Sequence, residues 1–144
     1  MNEFKRYREI VYRIIGAAMN VHSVMNNGLL EPLYQEALSI ELCENGIANE
    51  REKELRCYYK NHLLEKTYKV DILVGDIILE LKSVQEILPE HRAQLFNYMR
   101  LTKSPIGLLI NFGKKSLQGE RYGYIEELNE CVLLDKNMNI LEYE

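Results

Sequence analysis

The 144-residue chain contains no apolar run approaching the roughly 20 residues that a membrane-spanning helix requires, so no membrane partner is expected. Its first residues, Met1 to Arg8, are polar and charged, and no signal peptide is expected there. Cysteine is scarce. Cys43, Cys57 and Cys131 are widely spaced and odd in number, which argues against a disulfide framework and makes no zinc pattern. They read as buried free thiols in a reducing cytoplasm. His22, His62 and His91 are scattered without metal-ligand spacing, and no Ser-His-Asp or Cys-His arrangement stands out. Repeats, low-complexity tracts and linkers are absent. Phe112-Gly113-Lys114-Lys115-Ser116 ends like part of a phosphate loop, but the first glycine is missing at the required spacing.

What is present suits one compact domain over 1–144. Apolar residues are 47% of the chain, enough for a core, and charged residues are 28%. The net charge of −4 argues mildly against a general nucleic-acid coat, but its distribution is uneven. Residues 89–121 hold Arg92, Arg100, Lys103, Lys114, Lys115 and Arg121 against Glu90 and Glu120, while residues 122–144 are strongly acidic. The basic segment reads equally as a local phosphate-binding surface or as an ordinary solvated one.

Helical spacing of Phe4, Tyr7, Ile10, Val11, Ile14, Ile15 and Ala18 predicts a helix over 4–24, broken at Asn26-Asn27-Gly28. Pro32 opens a second helix, which Gly46 caps. Strands are expected near 53–60, 64–74 and 77–84, with a turn at Lys60-Asn61-His62. Pro89 opens a third helix, 89–102. The uniformly apolar stretch Pro105–Phe112 predicts a central strand. Gly113 and Gly119 bracket a polar loop, and short strands follow in Tyr122–Glu127 and Val132–Leu141. The expected order is α-α-β-β-β-α-β-β with a final strand possible: an α/β sheet with helices on its faces.

The densest chemical signal is the segment from Tyr68 to Lys82, two apolar strands joined at Gly75-Asp76. Three charges interrupt it: Asp71, Glu80 and Lys82. Charges among such apolar neighbours are costly unless compensated. Glu80 and Lys82, two apart on a strand, share a face, and the hairpin folds Asp71 beside Glu80. Two carboxylates and one ammonium then converge, a pattern suited to a divalent cation and phosphodiester hydrolysis. The Leu81 carbonyl offers a third oxygen ligand. Lys82 can orient an attacking water or stabilise the phosphate. The competing reading is an exposed ion pair, which the flanking Val70, Ile72, Ile78, Leu79 and Leu81 disfavour.

Glu31, just before Pro32, either caps the second helix or faces the strand site as a further metal ligand. Gln94 and Tyr98, four apart on the third helix, either contact Lys82 or a substrate phosphate or form a polar helix face. His22 lies near the Glu31 loop and reads more readily as a satisfied structural histidine.

Val70-Asp71 followed by Glu80-Leu81-Lys82 resembles the PD-(D/E)XK nuclease superfamily. Gly28, Glu31 and Tyr34 resemble, letter for letter, the motif of the small bacterial GxxExxY proteins within it. Gln94-Leu95-x-Asn97-Tyr98 and the 108–113 stretch are also similar to that family, and Gln94-x-x-x-Tyr98 is similar to the glutamine–tyrosine motif of RecB-like and Cas4-like nucleases. Two positions depart from the pattern: Asn20-Val21-His22, where relatives often place an acid before Val-His, and Asn26-Asn27-Gly28, where they often have Gly-Pro-Gly.

The resemblance implies a restriction-endonuclease-like core, a mixed sheet in the order αβββαβ with an extra N-terminal helix. It implies Asp71 and Glu80 as ligands of Mg²⁺ or Mn²⁺, Lys82 as the catalytic lysine, Glu31 as the helix carboxylate, and Gln94 and Tyr98 as supporting residues. His22, at a position that departs from the pattern, is a supporting candidate only through its place near the Glu31 loop. The partner it implies is nucleic acid, DNA ahead of RNA. Three functions stay open at this point: a metal-dependent nuclease, a binding module on a nuclease fold, and a hydrolase of smaller phosphoesters. A homodimer closed by apolar C-terminal side chains is equally open.

Overall fold

The computed structural model describes residues 2–143. A 3₁₀ turn, Glu3–Tyr7, leads into α1 (Arg8–Met25) and α2 (Glu31–Glu44). Then come β1 (Glu50–Tyr59), β2 (His62–Val74), β3 (Ile77–Lys82), α3 (Pro89–Thr102), β4 (Ile106–Asn111), β5 (Gln118–Ile125), β6 (Glu130–Leu134) and β7 (Ile140–Tyr143). The seven strands form one sheet in sequence order. β3 and β4 run parallel, with α3 as the crossover between them, and all other neighbours are antiparallel. This is the mixed sheet the resemblance implies, and β4, buried throughout, is its middle strand, as its uniformly apolar sequence predicts.

Val11, Ile14, Ala17, Ala18 and Val21 recur at helical spacing and seat α1 on one sheet face beside Tyr34, Leu38 and Leu42 of α2. On the same face lie Leu79 and Leu81 of β3 and Leu108 and Ile110 of β4. The opposite face carries Leu95, Phe96 and Met99 of α3 over Ile78 and Leu109. Pro32 and Pro89 each sit in the first turn of their helices, as expected. Gly46, at φ 74°, follows the end of α2. No helix of the described residues is long and apolar enough to cross a membrane.

Four expectations need correction. Gly119 lies inside β5, paired with Ile110, where a Cβ would come within 3.2 Å of the Ile15 side chain of α1. The stretch 132–141 is two strands. Asp135 Oδ1 accepts the backbone N–H groups of Asn137 and Asn139 and turns the chain, with Met138 at φ 65°. His62 begins β2, so the hairpin turn is Lys60-Asn61 alone. Cys57 and Cys131 are buried thiols, but Cys43 is exposed on the outer side of α2.

The β1–β2 hairpin is irregular at one level. Val70 joins the α3-side core whereas Ile72, two residues on, joins the α1/α2-side core. A regular strand would place both on one face. Between them lies Asp71. Across from it, between the pairs Arg51↔Ile72 and Lys53↔Val70, Glu52 adopts a left-handed φ of 52°. Beyond this kink the hairpin crosses over α3: the Tyr68 ring stacks on Tyr98 at 3.4 Å, and Lys103 Nζ lies 5.4 Å from the Tyr58 ring.

Candidate metal centre

The regular β2–β3 ladder runs from Val74↔Ile77 to Ile72↔Leu79. At the next level the Asp71 side chain takes over from the backbone: its Oδ2 accepts the Leu81 N–H at 2.8 Å. The N–H and C=O of one strand residue point to the same strand edge. The Leu81 carbonyl therefore faces the Asp71 side too, as expected of a candidate oxygen ligand. Glu80 stands beside them, only 8% exposed.

The electrostatics of this pair are unfavourable as they stand. Burial pushes the Glu80 carboxyl up, the negative charge of Asp71 pushes it further, and it reaches about 8 despite the Tyr68 bond and Lys82. Burial also raises Asp71, against the Leu81 N–H, with Glu31 and Glu52 adding and Lys82 opposing. Among the described residues Lys82 joins none of the ion pairs, which are Lys53–Glu50, Arg92–Glu120 and Lys103–Glu126. Two desolvated carboxylates thus lie together with one cation nearby but not in contact.

Glu31, Glu52, Asp71 and Leu81 line a cleft of about 190 Å³ together with Pro32 and Gln35. Glu31 opens α2 and is exposed. No side-chain bond caps that helix, so the capping reading of Glu31 does not hold in its strict form. Gln35, buried in α2, donates to Glu52 at 3.4 Å and accepts from Arg51 at 3.1 Å, tying α2 to the kink. Among the described residues no three His, Cys, Asp or Glu side chains gather closely enough to encage an ion. Such a donor set does not suit a closed structural site. It fits Mg²⁺ or Mn²⁺, hard ions that take one or two carboxylates and complete their shell with water and phosphate oxygens.

Tyr68 was not singled out by sequence reasoning, yet it is the direct neighbour of Glu80. Its hydroxyl donates to Glu80 Oε1. Burial and the Glu80 charge hold the phenol protonated. Gln94, exposed on α3, donates to the Tyr98 hydroxyl at 3.1 Å instead of to Lys82. Gln94 and Tyr98 therefore reach the carboxylates through the stacked Tyr68 ring. In the sequence, Tyr68 is marked by its place on the same strand as Asp71. Its approach to Glu80 depends on the kink. His22 is not drawn into the carboxylate cluster: its Nε2 engages the Lys114 carbonyl at 2.8 Å.

With this geometry in place, the wider relationships are clear. A family model of the PD-(D/E)XK nuclease superfamily matches residues 8–122, and the chain belongs to that superfamily. Its fold is restriction-endonuclease-like. Among solved structures it is similar to the crystal structure of SSO0001, at 15% identity and a TM-score of 0.52, over 86% of this chain and 64% of that one. The chain therefore spans under two thirds of that protein's length, and the likeness speaks for the fold alone. No curated protein matches the chain.

Proposed function

We propose that the chain is a Mg²⁺- or Mn²⁺-dependent nuclease that hydrolyses phosphodiester bonds, in DNA ahead of RNA, and that it is one of the small GxxExxY-type members of its superfamily. The observation that carries this reading is the desolvated Asp71–Glu80 pair at the edge where the β2–β3 ladder stops. A divalent cation there would offset the two charges that burial disfavours.

Asp71, Glu80 and the Leu81 carbonyl would hold the ion, with Glu31 approaching from α2. When bound, the ion supplies Lewis-acid polarisation of the phosphoryl oxygen and an acidified water. Lys82, on the same strand face as Glu80, orients that water and stabilises charge building on the phosphate. Tyr68 holds the Glu80 carboxyl through its Oε1. Tyr98 and Gln94 hold Tyr68 in turn. His22 serves the neighbouring loop. Sequence selectivity has no dedicated element among these residues, so selection would rest on nucleic-acid shape or on a partner.

Cleavage of labelled single- and double-stranded DNA and RNA with Mn²⁺ tests this. The wild type should cut in a metal-dependent way, and Lys82→Ala and Asp71→Ala, if folded, should each lose about a hundred-fold or more. A folded wild type that cuts none of these substrates would overturn the enzyme reading in favour of a binding module.

A further inference from the structure

The basic character of residues 89–121 resolves unevenly in three dimensions. Arg92 is held by Glu120 through two 2.8 Å bonds. Arg100 donates to the Asn129 carbonyl at 3.3 Å, and Lys103 lies 3.4 Å from Glu126. Arg121 is half-buried within the sheet. Lys114 and Lys115 alone of the six are exposed and joined to no acid among the described residues.

Those two lysines sit on a loop fixed beside the candidate centre. Lys82 and Asn111 are register partners at the C-terminal ends of β3 and β4. The Phe112 N–H continues the ladder to the Lys82 carbonyl at 2.8 Å. Fully buried Asn111 accepts from the N–H groups of Val84 and Gly113 and donates to the Val84 carbonyl. Gly113 lies so close to Val84 that a Cβ would strike its backbone. His22 closes the other side by engaging the Lys114 carbonyl. The backbone of the loop is thus pinned from three directions while its two ammonium groups face solvent. With strands about 5 Å apart and at most about 3.6 Å per residue, the Lys114 Cα lies within roughly 16 Å of that of Lys82. At about 3.4 Å of rise per nucleotide, this spans some five nucleotides or fewer.

We infer that the Lys114-Lys115 loop is a phosphate-backbone clamp, which engages the DNA strand a few nucleotides from the phosphodiester presented to Asp71, Glu80 and Lys82. The inference rests on the nuclease reading and adds the surface by which the substrate is gripped. On an acidic protein, two adjacent exposed cations that join no ion pair among the described residues offer non-specific affinity near the proposed site.

The test is fluorescence anisotropy of a labelled DNA single strand and its duplex across a salt series, without divalent metal. Wild type, Lys114→Ala/Lys115→Ala and Lys5→Ala are compared. Lys5 is exposed on the 3₁₀ turn at the other end of the sheet, where Tyr7 bonds Asp76 of the β2–β3 turn. The double variant should bind more weakly, and the slope of log K against log salt should become shallower by about 1 to 2, with Lys5→Ala unchanged. Mn²⁺ uptake by the double variant should equal that of the wild type, which separates the clamp from the metal centre. Unchanged slope and affinity in the double variant, or an equal loss in Lys5→Ala, overturns the clamp and leaves the nuclease reading standing. A wild type that binds neither DNA overturns the clamp, whereas the nuclease reading falls only if Mn²⁺-dependent cleavage of DNA and RNA is also absent.

Discussion

Glu80 is the residue on which the energetics of the site turn. A carboxyl raised to about 8 prefers its proton in the folded state, whereas in the unfolded chain it ionises near 4.5. The sign follows: its contribution to stability is fully present below about pH 4.5 and is lost as pH rises through about 8. Metal-free wild type should therefore lose stability over that window relative to Glu80→Gln, by on the order of a few kcal/mol. Urea unfolding of both proteins across pH checks this, and parallel curves would contradict it. Ligation needs the deprotonated carboxylate, so Mn²⁺ affinity should rise toward pH 8 for the same reason. The charges themselves were legible in the sequence because Asp71, Glu80 and Lys82 break an otherwise apolar pattern. Tyr68 was not, since nothing in a strand's own spacing tells which hydroxyl will cross to the next strand.

At the scale of elements, the site is built by interruptions of regular structure. The ladder between β2 and β3 ends where Asp71 replaces a backbone acceptor. The β1–β2 pair kinks at Glu52 and Asp71, which carries Tyr68 over to Tyr98. On the other side, Asn111 extends the β3–β4 pair into the chain beyond it. Asn111→Ala would strand the half-buried Val84 and Gly113 amides, and it should cost roughly 1–3 kcal/mol in chemical denaturation. A loss below about half a kcal/mol would show that water replaces these bonds. Boundaries set by local chemistry were legible: Pro32, Pro89, and the Gly75-Asp76 turn, where Gly75 takes φ 60°. Those set by neighbours across the sheet were not. The start of β5 is set by its pairing with Asn111 of β4, and the kink depends on two strands meeting in register.

For the molecule as a whole, one sheet with an apolar core on each face carries everything described here. The central place of β4 was readable because it is apolar without alternation, as a strand covered on both faces must be, whereas the mixed topology followed from the family resemblance and not from patterning. The charge pattern was legible only in part. A +4 segment reads as one basic surface along the chain, but folding assigns Arg92 to Glu120 and Lys103 to Glu126 and leaves Lys114 and Lys115 exposed beyond the end of β4. Hydrolysis at Asp71 and Glu80 would require the divalent ion. The most direct measurement is calorimetric titration of Mn²⁺ into wild type beside Asp71→Asn and Lys82→Ala. Saturable binding by wild type, kept in Lys82→Ala and lost or weakened about ten-fold or more in Asp71→Asn, is the predicted result. Absence of binding by the folded wild type, or affinity unaltered in Asp71→Asn, would contradict it.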